Sequence, residues 1–131
     1  AAIIRTKYGE YPEYHTSLDD LKTVVTPSGL NGGYWALRSA IEVLERNKMY
    51  LISVLGEPQM GKRGLYPTLS TKKSHEGVRL MMNFISLCDG RTSLLKIAER
   101  LGVAIWDLYE LCDKLEEHNL LSINELGVLQ S

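Results

Sequence analysis

With 131 residues, 44% of them hydrophobic and 24% charged, the chain has the size and make-up of one globular domain or two small ones. Its formal net charge of -1 supplies no general attraction to nucleic acid or to an anionic membrane surface. No apolar run approaches the roughly 20 residues of a membrane-spanning helix.

The opening Ala1-Ala2-Ile3-Ile4 is followed at once by Arg5 and Lys7, which is not the layout of a signal peptide. The expected setting is cytoplasmic. Cys88 and Cys112 stand apart in apolar helical patterns, and in a reducing compartment they read as buried thiols rather than a disulfide or redox pair.

Ile3-Ile4-Arg5-Thr6 reads as the end of a strand whose sheet lies elsewhere. It delivers the chain to the stretch from Lys7 to Asp20, which holds three tyrosines, a proline, a histidine and four carboxylates. That stretch has neither helical nor strand periodicity, so it reads as a loop, and a loop of this kind repays its ordering cost only at a site or a partner. Thr26-Pro27 is a helix start, with threonine as cap and proline at the first helical position. Asn31 is expected to cap a second, longer helix after a brief break. Tyr34, Leu37, Ile41 and Leu44 then recur at spacings of three and four and form one apolar face, with Arg38, Glu42 and Arg46 on another. Such a helix packs against something large on one side, and nothing in the first 60 or so residues supplies it.

Tyr50 to Leu55 is a β-prone run. Gly56 to Pro67 carries three glycines and two prolines and reads as a wrapping loop. Within it, Gly61-Lys62-Arg63-Gly64 could hold an anion through backbone donors and two cations, although it is far from a phosphate-loop signature and a structural connector is the plainer reading. The polar stretch Ser70 to His75 is the expected domain boundary.

Beyond it, Val78, Met81, Met82, Ile85 and Cys88 mark a helix ended by Asp89-Gly90. Thr92 or Ser93 caps the next helix, which Gly102 ends. A third runs from about Ile105 to Leu115, with Trp106 near its start. Leu120 to Ile123 and Val128-Leu129 can pair as a hairpin. Three helices and a ribbon describe a winged helix-turn-helix, with an expected core of Met82, Ile85, Leu95, Ile97, Ala98, Leu101, Leu108, Leu111, Leu115 and Leu121. From Glu76 onward five cations face nine anions, and the third helix carries Asp107, Glu110, Asp113, Glu116 and Glu117 against Lys114 alone. Phosphate neutralisation dominates duplex affinity, so the expected partner is not nucleic acid. An interaction or dimerisation module is the plainer role.

His15 is the only histidine of the loop. A catalytic zinc ion takes three protein ligands, and the chain offers no histidine or cysteine pair at ligand spacing. Taken alone, His15 reads as a hydrogen-bonded surface residue or as one ligand of a site completed elsewhere. Tyr11-Pro12-Glu13-Tyr14-His15-Thr16-Ser17-Leu18-Asp19-Asp20 resembles the last metal-binding motif of co-catalytic zinc exopeptidases. The resemblance extends to Arg5-Thr6-Lys7-Tyr8-Gly9, to Thr26-Pro27-Ser28-Gly29-Leu30, to Gly56 through Pro67 and to Asp89-Gly90. Together these are similar to the C-terminal part of bacterial aminopeptidase-like proteins that append a winged helix.

The resemblance implies that residues 1–75 are the tail of an α/β catalytic domain and residues 76–131 a mainly α winged-helix domain. It implies His15 as a zinc ligand, Asp19 or Asp20 as a supporting carboxylate, and Tyr11 and Tyr14 as cleft residues. The substrate would be a peptide or a related amide, and a surface-polysaccharide context is also found among such proteins. The partner would be an upstream catalytic segment of the same protein, with a homo-oligomer left open and no membrane or nucleic-acid partner. The remaining metal ligands and the general base would lie upstream, so no catalytic residue is expected in this chain and none of its activity alone. The alternative is a non-catalytic winged-helix interaction module in which the loop is ordered surface.

Overall fold

A computed structural model describes residues 2–16, 25–54, 56, 58, 60–63 and 72–124. The chain divides into two compact units, residues 1–44 and 45–131.

In the first unit, residues 2–6 are irregular rather than a strand. The loop that follows folds into tight turns, with backbone bonds from Glu10 N–H to Lys7 O, from Tyr14 N–H to Tyr11 O and from Thr16 N–H to Glu13 O, at 3.0–3.2 Å. The helix α1 (Pro27–Arg46) starts where expected. Thr26 Oγ1 accepts the Gly29 N–H at 3.1 Å, and Pro27 costs no hydrogen bond at the first helical position. The expected break at Asn31 does not occur: α1 runs unbroken through Gly32-Gly33. A helical glycine costs only about 1 kcal/mol relative to alanine, which a helix of this length absorbs. No residue of α1 is buried.

The second unit is built on a three-stranded antiparallel sheet in the order β2-β1-β3. Strand β1 (Met49–Ile52) is central, flanked by β2 (Asp89–Ser93) and β3 (Leu121–Ile123). Between them lie α2 (Lys72–Leu87), α3 (Leu94–Leu101), a 3₁₀ turn at Ile105–Leu108 and α4 (Tyr109–Glu117). The register sets Tyr50 opposite Ile123 and Ile52 opposite Leu121. On the other side Met49 pairs Ser93 and Leu51 pairs Asp89, with an irregularity between them. Gly90 sits there at φ 72°, with Leu51 Cβ only 3.4 Å from where a side chain would begin, so this turn suits glycine.

Phe84, Leu94, Ile97, Leu108, Leu115 and Leu120 are fully buried and form the core with Tyr50. Of the expected core, Ile85, Ile97, Ala98, Leu108, Leu115 and Leu121 are buried, whereas Leu95 is exposed and Met82, Leu101 and Leu111 are intermediate. Ser93 caps α3, accepting the Lys96 N–H, and Gly102 ends it at φ 68°. Gly102 N–H and Val103 N–H return to Glu99 O and Ala98 O, the doubled bond pattern of a left-handed helix stop. Asn119, at φ 55°, ends α4 in the same way, with its N–H and that of Leu120 bonding Glu116 O and Leu115 O.

The boundary between compact units falls between Leu44 and Glu45 rather than after residue 75, because β1 is the middle strand of the second unit's sheet. The strand Leu121–Ile123 pairs with β1, and Val128-Leu129 lies outside the described residues.

Candidate functional site

The turns after Lys7 gather three aromatic rings around that of Tyr14. The Tyr11 and Tyr14 rings meet edge to face at 5.7 Å, Tyr8 and Tyr14 lie 6.0 Å apart, and the Tyr14 and His15 rings are 4.1 Å apart. His15 is exposed and holds φ at 58°. A non-glycine residue in the left-handed region carries a local cost, and such positions concentrate where a side chain must be aimed. Just beyond it, Thr16 Oγ1 donates to Glu13 O at 2.6 Å and ties the turn closed.

The carboxylates of the loop divide. Glu10 forms an exposed ion pair with Lys7 at 3.3 Å. Glu13 lines a concavity of about 520 Å³ with Ile4, Arg5, Thr6, Tyr8, Tyr11 and Thr26. This size suits a small ligand, and its two charged residues are of opposite sign. Tyr11 lines the concavity, and the Tyr14 ring meets the Tyr11 ring edge to face. Asp19 and Asp20 lie outside the described residues. Among the described residues, no group of three histidine, cysteine, aspartate or glutamate side chains is placed to hold a metal. Lys62 is exposed in a 3₁₀ turn at Met60–Arg63, and Gly64 lies outside the described residues.

In the second unit, both cysteines are free thiols. Burial pushes each of them up to about 12, so neither is a nucleophile near neutrality. Burial likewise raises the Tyr50 hydroxyl well above its usual value, with the Cys112 charge adding to the effect.

The helix α4, where a DNA reader would contact bases, exposes Glu110, Asp113 and Glu117. Its one cation, Lys114, is paired with Glu110 at 2.6 Å. Asp113 pairs with Arg46, which also lies over the Tyr109 ring at 4.4 Å. The hydrogen bond it donates to the Asp113 carboxylate holds the guanidinium above its ordinary pKa. Sequence spacing places Arg46 on the polar side of α1 but cannot foresee this partner across 67 positions.

A winged helix-turn-helix family matches residues 37–123. The chain belongs to the winged helix-turn-helix family. This winged helix begins inside α1 and takes in β1, in keeping with the central place of that strand. A second family, described only as a domain of unknown function, matches residues 1–47. Over 124 residues the chain is 31% identical to a Clostridium acetobutylicum protein that carries the provisional name polysaccharide biosynthesis protein with aminopeptidase-like domain. The match covers 93% of this chain and 28% of that protein. A crystal structure from C. acetobutylicum, provisionally called a peptidase, superposes with a TM-score of 0.69 at 30% identity, covering 86% of this chain and 24% of the other. The chain therefore spans about a quarter of the length of these aminopeptidase-like relatives, and its winged helix is the larger share of that quarter. Among the described residues, no helix is long and apolar enough to cross a membrane.

Proposed function

We propose that this chain is the C-terminal portion of an aminopeptidase-like zinc hydrolase, in which the tyrosine-rich turn forms one wall of the active site and His15 supplies one metal ligand. The observation that carries the reading is the conformation of His15. It is exposed, held at positive φ, and set beside the Tyr14 ring at the end of hydrogen-bonded turns, as a ligand presented from a fixed loop would be.

One imidazole does not by itself fit a zinc ion, which needs three or four donors. The remaining ligands and the general base belong, on this reading, to the part of the longer polypeptide for which the relatives leave ample room. A bound zinc would polarise a carbonyl and activate a water. The work assigned to this chain is narrower. His15 would present a ring nitrogen, Asp19 or Asp20 would orient it or the chain around it, and Tyr11 and Tyr14 would line the approach. Arg5 and Glu13 offer opposite charges to a substrate that has a free terminus, and the substrate is a peptide or related amide. The winged helix serves protein contact rather than duplex binding.

The test is metal analysis and peptide hydrolysis with the full-length polypeptide. His15→Ala should lower zinc content by about one equivalent or weaken its retention 10–100-fold, and should depress hydrolysis at least as much. A parent protein that binds no zinc and whose activity ignores His15→Ala would sink the reading.

A further inference from the structure

The most anomalous surface of the molecule is one side of α1. Leu30, Tyr34, Leu37, Ile41 and Leu44 recur at spacings of four and three, and each is at least half exposed, up to 78% at Leu44. Gly33, Ala36 and Ala40 adjoin this row. At 100° per residue, apolar and small side chains together occupy about half the helix circumference. Ile3 and Ile4 are also exposed, and they share with Gly32, Gly33, Ala36 and Leu37 a groove of about 620 Å³. Asn31, Arg38, Ser39, Glu42 and Glu45 lie on the opposite arc, together with the half-exposed Trp35, whose ring Arg38 covers at 5.0 Å. A patch this large and continuous is seldom left to water.

We infer that this side of α1, with Ile3 and Ile4, is the docking surface for the remaining, catalytic portion of an aminopeptidase-like domain on the same polypeptide. The inference rests on the functional reading above and names the partner that reading requires. Its breadth selects the occupant. A self-associating coiled coil uses a narrow seam of two apolar positions in seven, flanked by complementary charge. Here Gly33, Ala40 and Ala36 widen the apolar row on one side, which suits close approach of a layer such as a sheet, while Arg38 and Glu45 border the row on the other side only. The length of chain outside the structure agrees, since the relatives carry more than two thirds of their residues beyond the match. A helix with no buried residue also adds nothing to a core until such a layer covers it.

The test uses cysteine labelling, for which Cys88 and Cys112 are a silent background because both are buried. Leu37→Cys and Leu44→Cys probe the apolar arc, and Ser39→Cys probes the opposite one. In the 131-residue chain all three should react with a maleimide at similar rates. In the full-length polypeptide the first two should slow at least 10-fold while Ser39→Cys keeps its rate. Equal rates in the full-length polypeptide overturn the inference. Protection already present in the 131-residue chain overturns it too, assigning the surface to a second copy where it fades on dilution and to the chain itself where it does not. Zinc content, measured on the same samples, separates the two proposals. Protection without zinc keeps the docking surface and removes the hydrolase, whereas zinc without protection does the reverse.

Discussion

Asp89 shows what one side chain does in this fold. Its Oδ1 accepts the Arg91 and Thr92 N–H groups at 2.8 and 2.7 Å, and Oδ2 accepts the Thr92 hydroxyl at 3.1 Å. Those donors, the Arg91 amide first, hold the carboxyl below its ordinary pKa. A depressed folded-state pKa means stability that is present above the unfolded value near 4 and lost as pH falls through the lower folded value. Asp89→Ala should therefore cost about 1–2 kcal/mol at pH 7. The deficit should shrink in strongly acidic solution, once the pH has fallen below that lowered value and the wild-type carboxyl is protonated as well. Urea unfolding at the two pH values measures both, and an equal deficit at each would contradict the charge-based account. The sequence shows Asp89-Gly90 as a helix end, which it is. It does not show that Asp89 begins a strand, because β2 is polar and its partner lies some 40 positions earlier. The left-handed backbone of His15 was equally hidden, since nothing in the residue type demands it, and legibility there came from the neighbouring motif alone.

Among the elements, α3 was the most readable and α1 the most misleading. Ser93 and Gly102 bracket α3 as their chemistry requires, and its first donors are shared out in full. Leu94 N–H bonds Lys48 O at 2.9 Å, Leu95 N–H bonds Asn47 Oδ1 at 2.9 Å, and Lys96 N–H bonds Ser93 Oγ. Asn47, just after α1, thus acts as a cap for a helix 48 positions later, a role no local pattern signals. Asn47→Ala should lower stability by about 1 kcal/mol, as loss of a helix cap does. Thermal melting of that variant beside Ser93→Ala tests this, and an unchanged melting temperature for Asn47→Ala would refute it. The apolar spacing of α1 was legible, but its continuity through two glycines was not, because the helix is long enough to bear them. The charge of α4 was fully legible. It leads to a plain expectation: in 50 mM salt the chain should bind duplex DNA no more tightly than an acidic control protein, and salt-sensitive binding would show a basic face that α4 lacks.

At the scale of the molecule, charge and composition suggested a division near residue 75, where a polar stretch separates two apolar patterns. The compact units divide between Leu44 and Glu45, and the hydrogen bonds of β1 accord with that division. Ile52 N–H bonds Cys88 O, Ser53 N–H bonds Leu120 O, and Asn124 N–H bonds Met49 O, so β1 is tied on both sides to segments far along the chain. Tyr50 is 2% exposed and completes the core beneath the sheet. Composition cannot reveal this, because a four-residue strand looks alike whether it ends one domain or begins another. A chain starting at Glu45 keeps β1, Arg46 and the Asn47 cap, and it should unfold cooperatively with stability close to that of the same unit in the whole chain. A chain starting at Glu76 loses the central strand. It leaves the inner edges of β2 and β3 unpaired and removes the buried Tyr50 from the core, a loss comparable with the roughly 5 kcal/mol at the lower end of domain stability. Circular dichroism and urea titration of the two should therefore differ in kind, with a sigmoidal transition for the first and a graded, non-cooperative loss for the second. Were the Glu76 chain to fold as sharply as the Glu45 chain, the sheet would not depend on β1, and the winged helix would begin where composition alone had drawn the line.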